Sequence, residues 1–137
     1  MSFDPTRDYP LGTRRPDLVS TPGGLPLAEV TLDALRAGRV SADEIRATPE
    51  TLRMQSAVAL AAGRVQLAEN FERAAELADV PDDLLLAVYT ALRPGRATAV
   101  ELEEWAARLE GYAATKTAAF VREAAAAYED RGLLAHG

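Results

Sequence analysis

The stretch from Thr98 to Arg131, TAVELEEWAARLEGYAATKTAAFVREAAAAYEDR, decides the fold class. It opens on Thr98-Ala99-Val100-Glu101, a capping box. The Thr98 hydroxyl can accept the amide three residues on, and Glu101 can reach back to the Thr98 amide. Leu102, Trp105, Leu109 and Tyr112 then recur at helical spacing, and Phe120, Ala124 and Tyr128 continue at four-residue steps. Gly132 closes the pattern. Gly111 and Lys116 interrupt its middle, where the chain can bend. Read as one element, this is a helix longer than a small domain usually holds. It is expected to be a spine for the other helices or to project against another subunit.

The segments before it repeat the helical signals. Thr31 can cap a short turn with Leu32 and Leu35 inward, stopped by Gly38. Ser41-Ala42-Asp43-Glu44 reads as a second capping box. Thr48-Pro49-Glu50 places a cap, a proline at the first helical position and an acid at the positive end of the dipole. That helix is expected to run to about Ala62, with Gly63 as the break. From Arg64 to Ala78, the spacing of Leu67, Phe71, Ala74 and Ala78 predicts one buried face. Val80-Pro81-Asp82-Asp83 restarts the chain with Asp79 as its cap. Leu84, Leu85, Leu86, Val88, Tyr89 and Leu92 leave that helix little polar face, so it should be central or sandwiched against a partner. No internal repeat, heptad array or alternating strand pattern is evident. The expectation is an all-α protein, an open helical bundle with a long C-terminal helix.

The first thirty residues differ. Pro5, Pro10, Pro16, Pro22 and Pro26 lie there with Gly12, Gly23 and Gly24, which rules out a continuous helix. Tyr9, Leu11, Leu18, Val19, Leu25 and Leu27 make the stretch apolar for a solvated tail. It reads as an extended arm over residues 1–30, laid on its own surface or a neighbour's, ahead of a helical domain over 31–137.

Composition narrows the function. The chain has 137 residues, a net charge of −6 and a sequence pI near 4.8. That balance argues against nucleic acid and anionic membranes as partners. Lys116 is the only lysine among the 15 basic residues. Arginine is suited to bidentate pairing with carboxylates at subunit contacts. With no cysteine, thiolate catalysis, disulfides and cysteine-ligated metals are excluded. No transmembrane run or signal peptide is evident.

The residues offer no catalytic constellation. His136, the sole histidine, stands next to the C-terminus, a poor place for a triad or a metal ligand. The carboxylate pairs Asp43-Glu44, Asp82-Asp83 and Glu103-Glu104 are sequence neighbours, which point about 100° apart on a helix and form no dyad. Thr21-Pro22-Gly23-Gly24 lacks the Lys-Ser/Thr of a phosphate loop.

Several stretches carry a family resemblance. Asp8-Tyr9-Pro10-Leu11 comes first. Thr48-Pro49-Glu50-Thr51-Leu52-Arg53 follows, with Ala62-Gly63-Arg64 after it. Then come Asn70-Phe71-Glu72-Arg73-Ala74-Ala75-Glu76-Leu77 with Val80-Pro81-Asp82, and Ala91-Leu92-Arg93-Pro94 with Arg96. Ala118-Ala119-Phe120-Val121-Arg122-Glu123 is the last. Together, in this order from Asp8 to about Leu134, they resemble the small subunit of adenosylcobalamin-dependent diol and glycerol dehydratases. Gly95 stands where the resemblance leads one to expect an aromatic, and Ala97 where it leads one to expect serine.

The resemblance implies a non-catalytic subunit of an enzyme that turns 1,2-diols such as propanediol and glycerol into aldehydes. Substrate would sit on a large subunit, and the cofactor between the large and medium subunits. This chain would stabilise a dimer of heterotrimers. Tyr89 and, within the matching stretches, Tyr9, Pro10, Leu11, Arg53, Asn70, Arg73, Arg93, Arg96 and Arg122 are the residues expected at subunit contacts. The cytoplasm is the expected location. Some family members carry a longer N-terminal extension associated with bacterial microcompartments, whereas only seven residues precede Asp8 here. The competing reading is a stand-alone acidic helical interaction module, an adaptor or regulator. A self-sufficient enzyme is the third.

Overall fold

A computed structural model describes residues 2–137. The chain packs as two compact units, one ending at Ala78 and the other covering Asp79–Gly137. The first holds α1 (Leu11–Arg14), α2 (Leu32–Arg36), α3 (Pro49–Ala61) and α4 (Val65–Leu77), with 3-10 turns at Pro16–Leu18, Leu27–Glu29 and Ala42–Ile45. The second holds α5 (Asp82–Ala91), α6 (Ala99–Gly111) and α7 (Thr115–Arg131). Among the described residues there is no strand, only an isolated bridge between Ser20 and Pro26. The protein is all-α.

Local chemistry sets the N-terminal stretch. The Asp8 carboxylate accepts the Asp4 amide at 2.9 Å and pairs with Arg15 at 3.1 Å and Arg7 at 3.2 Å. Arg15 also pairs with Asp17 at 2.9 Å. Asp8, Arg15 and Leu11 are all buried, so polar groups taken from water here are paired. The Asp8 carboxyl is held below the usual carboxylate range, first by the Asp4 amide and then by the two arginines, against the opposing effect of burial. Further on, the buried Thr21 hydroxyl accepts the Leu25 amide at 3.0 Å and donates to Glu44.

That last bond corrects one expectation. Glu44 is engaged by Thr21, and Ser41 makes no side-chain cap, because the helical turn it precedes is a four-residue 3-10 turn. Thr31 does cap α2, accepting the Ala34 amide at 3.1 Å. However, Ala34 is the residue turned inward, while Leu32 is 60% exposed and Leu35 is also exposed. Asp79 is not the cap of α5 either: Pro81 precedes the helix, with no side-chain cap.

The two long hairpins follow the sequence signals at their starts. Thr48 caps α3 by accepting the Thr51 amide at 3.2 Å, with Pro49 at the first position. Thr98 and Glu101 form both bonds of the capping box, at 3.2 and 2.8 Å. The stretch read as one spine is cut at Tyr112–Ala114, where Ala113 adopts φ 60° and sends α7 back along α6. Folding back lets both helices bury their apolar positions against each other, which a single extended helix does not do. Leu102, Ala106 and Leu109 of α6 and Thr117, Ala118 and Val121 of α7 are buried.

The buried faces agree with those expected only in part: Leu102 and Leu109 of the α6 stripe are buried, but other positions turn outward. In α4 the buried positions are Ala68 and Ala75; Leu67 and Ala78 are exposed, and Phe71 and Ala74 are half-buried. In α6 and α7, Trp105 and Tyr128 are half-buried, while Tyr112 and Phe120 are exposed. Alanine at the contact lets two helices approach closely. The α4 seam therefore recruits alanines, whereas the α6–α7 seam buries Leu102, Leu109 and Val121 among its small residues and leaves the aromatic rings nearer the surface.

The structure also shows a repeat that the sequence conceals. The caps, helix starts, loop conformation and three buried positions of the α3–α4 hairpin recur 50 residues later in α6–α7. Thr48 and Thr98 are the caps, Pro49–Ala61 and Ala99–Gly111 the first helices, and Val65 and Thr115 open the second helices. Ala62, Gly63 and Arg64 form one loop; Tyr112, Ala113 and Ala114 form the other. Their middle residues have φ 77° and 60°. The Arg64 amide donates to the Ala59 carbonyl at 2.8 Å, and the Ala114 amide to Leu109 at 3.0 Å. Buried Ser56, Ala59 and Ala68 match buried Ala106, Leu109 and Ala118. Few side chains are shared, so residue identity hides the correspondence.

After α7 the chain returns to the α5–α6 connection. The Gly95 amide donates to Leu133 at 2.7 Å, the Ala135 amide to Ala97 at 2.8 Å, and the Tyr128 hydroxyl to the Leu92 carbonyl at 2.5 Å. Gly95 has φ 77°, which accounts for glycine where the resemblance suggested an aromatic residue.

Candidate docking surfaces

Among the described residues no group of three or more His, Cys, Asp or Glu side chains is placed to hold a metal. His136 is exposed near the chain end. The acidic pairs have local tasks: Asp82 and Asp83 open α5, and Glu103 is engaged by Arg122. No helix of the described residues is long and apolar enough to cross a membrane.

What the chain does present is exposed apolar surface beside arginine. In the first unit, Tyr9 is 52% exposed and lines a groove of about 350 Å³ with Val58, Ala59, Leu67 and Phe71. Pro10 is exposed beside it, whereas Leu11 is buried in the chain itself and serves to seat the turn that presents Tyr9. Arg53 is exposed on α3. Asn70 is exposed on α4 and accepts a hydrogen bond from the half-buried Arg73.

In the second unit, α5 buries Leu84 and Val88 and turns Leu86 and Tyr89 outward, 68% and 57% exposed. Helical spacing puts Leu86 and Tyr89 on one face, and Arg93 continues that line just past the helix end. Arg93 and Arg96 are both exposed. The expectation that an α5 apolar nearly all round would be sandwiched rested on these same residues.

Arg122 is engaged within its own chain. Its Nε and Nη2 donate to Glu103 at 2.9 and 2.8 Å, and its Nη1 donates to Glu110, so one guanidinium ties α7 to α6. The Glu103 carboxyl is lowered, chiefly by that hydrogen bond, and the Arg122 guanidinium is raised by its two acids. Sequence reading did not single out exposed Leu60, Val65, Leu67 and Leu86 as surface residues. Their apolar character suggests a core, and only the helix rotation turns them out.

The family described as dehydratase small subunit matches residues 5–135. The propanediol dehydratase small subunit of Citrobacter freundii is 51% identical over 125 residues, covering 90% of this chain and 73% of that one. The corresponding small subunit of Salmonella typhimurium (strain LT2) is 50% identical over 125 residues, covering 90% and 72%. A family match over nearly the whole length, with half the residues identical to proteins of the same description, shows that the chain belongs to the dehydratase small subunit family.

Proposed function

We propose that this chain is the non-catalytic small subunit of an adenosylcobalamin-dependent diol dehydratase acting on propanediol, glycerol or a related 1,2-diol. It binds the large and medium subunits and stabilises their assembly as a dimer of heterotrimers in the cytoplasm. The observation that carries this reading is the pairing of the two relatives' descriptions with a surface rich in exposed apolar side chains. Large apolar groups left in water beside arginine are suited to burial in a partner. Tyr9, Pro10, Arg53, Asn70, Arg73, Tyr89, Arg93 and Arg96 are the contacts we propose. Leu11 and Arg122 support them by holding the N-terminal turn and the α6–α7 hairpin. Residues 1–30 act as an arm ahead of the helical part, 31–137, and bring Tyr9 to the partner.

The residues here do not fit the cofactor. The grooves of the first unit measure about 230 to 350 Å³. That is at or below the low end of the roughly 300–1,000 Å³ of pockets for drug-sized ligands, and a corrinoid is larger than those ligands. The single imidazole, His136, lies exposed near the chain end. On this reading cofactor and substrate are assigned to the partner subunits, and no chemical step to this chain.

The test is co-expression with candidate large and medium subunits, purification through a tag on this chain, native mass spectrometry, and an aldehyde assay with 1,2-propanediol and adenosylcobalamin. The expected result is a heteromeric complex whose activity falls when this chain is omitted. A chain that purifies alone, as a soluble monomer indifferent to both partners, overturns the proposal in favour of a stand-alone interaction module.

A further inference from the structure

The two hairpins share one backbone design, so each is a control for what the other needs. Positions that differ in character between them are not dictated by the hairpin itself. At the base of the second hairpin, Ala114, Thr117 and Val121 are buried. Their counterparts 50 residues earlier are Arg64, Leu67 and Phe71. Arg64 and Leu67 are exposed, Leu67 by 39%, and Phe71 is half-buried. Larger side chains thus stand more exposed where the sister hairpin keeps smaller ones covered.

The reason lies on the facing helix. Where the second hairpin has Trp105, Leu109 and Tyr112, the first has Gln55, Ala59 and Ala62. The smaller side chains leave the groove of about 350 Å³, with Tyr9 at its edge. Arg64 is the one charged group lining it among the described residues. The hairpin backbone does not dictate small residues here, since the matching positions of the second copy carry larger ones.

We propose that this groove of the α3–α4 hairpin is a docking site for a segment of one of the larger dehydratase subunits, which inserts an apolar side chain beside Leu67 and Phe71 and presents a carboxylate to Arg64. The apolar floor needs an apolar guest, and a lone arginine at its edge selects an acid, which it can bind bidentately. The proposal rests on the small-subunit reading above and adds the place and the chemistry of the contact.

The test borrows residues from the second hairpin. Ala62→Tyr blocks the groove with the residue found at Tyr112, and Arg64→Ala with Leu67→Thr removes the apolar and cationic contacts. Each is made in the full chain, and its dissociation from the co-expressed larger subunits is titrated. Both variants are expected to melt like the parent and to bind at least about tenfold more weakly, the scale of a binding hot spot. Parent-like affinity in both overturns the docking site. If the parent itself fails to bind, the small-subunit reading falls instead. A parent chain that self-associates, and becomes monomeric with Ala62→Tyr, assigns the groove to a second copy and also overturns the proposal. Should either variant unfold, a photo-crosslinking residue at position 67 decides: a crosslink to a larger subunit supports the site, and its absence overturns it.

Discussion

Gly63 and Ala113 occupy the same place in two successive hairpins, 50 residues apart, and both hold a left-handed backbone with φ 77° and 60°. Glycine adopts this conformation without steric cost, whereas alanine brings its Cβ close to the following carbonyl. Nothing lies within 4 Å of a Cβ built at Gly63, so the penalty there is conformational alone. Gly63→Ala is expected to lower stability by about 1–2 kcal/mol. Ala113→Gly is expected to raise it by less than about 1 kcal/mol, since glycine also gains entropy in the unfolded chain. Urea unfolding of both variants checks this; a stabilising Gly63→Ala would contradict the loop geometry.

The packing of the helices predicts a contrast between two large side chains. Leu109 is fully buried in the α6–α7 seam, and Leu109→Ala should cost about 2–5 kcal/mol. Phe71 is only half-buried at the margin of α3–α4, so Phe71→Ala should cost less than the roughly 3–5 kcal/mol of a core phenylalanine. Equal losses on thermal unfolding would mean that Phe71 is a core residue after all.

Two apparent capping boxes should behave differently. Thr98→Ala removes a cap that is formed, and about 1 kcal/mol of stability should go with it. Ser41 makes no cap, so Ser41→Ala should leave the unfolding midpoint unchanged. A loss at Ser41 comparable to that at Thr98 would restore the box that the fold replaces with Thr21 and Glu44.

Acid should loosen the N-terminal turn. Asp8 ionises below its ordinary value of 3.8 in the folded chain, held there by the Asp4 amide and by Arg7 and Arg15. A lowered folded pKa contributes stability above the unfolded value and loses it as pH falls through the folded one. Exchange of the Asp4 amide should therefore quicken below about pH 4. Asp8→Asn should remove that dependence. A carboxyl resonance for Asp8 titrating at or above 3.8 would show that these partners do not hold it.

Exposed Tyr89 on α5 and Arg93 just past its end lie along one line, while Leu84 and Val88 carry the packing. Tyr89→Ala and Arg93→Ala are expected to weaken subunit association by about 1–2 kcal/mol each, with melting unchanged. A dissociation titration that shows parent affinity for both would take this face out of the interface.

Three helix starts were legible because capping is local chemistry. Thr31, Thr48 and Thr98 each accept an amide three residues ahead, and those three residues suffice to specify the bond. Ser41 failed for a nonlocal reason, since the Glu44 it needed answers to Thr21, 23 residues upstream. For the proposed docking residues, the sequence supplies residue type but not orientation. Tyr9, Tyr89, Arg93 and Arg96 are exposed as an interface needs, whereas Leu11 and Arg122 turned out to be committed within the chain. Leu67 was read as core because spacing tells which residues share a helical face, not which way that face points.

By itself, the sequence determined the all-helical class, the positions of the capped helix starts and the family, because each is written in short runs of neighbouring residues. Tertiary structure decided that the chain from Thr98 to Arg131 folds in two at Ala113. It also decided that alanines rather than leucines line the seam of α4, and that the α3–α4 and α6–α7 hairpins are one design used twice. These outcomes depend on how closely two helices can approach, a property of paired surfaces that no single stretch of chain contains.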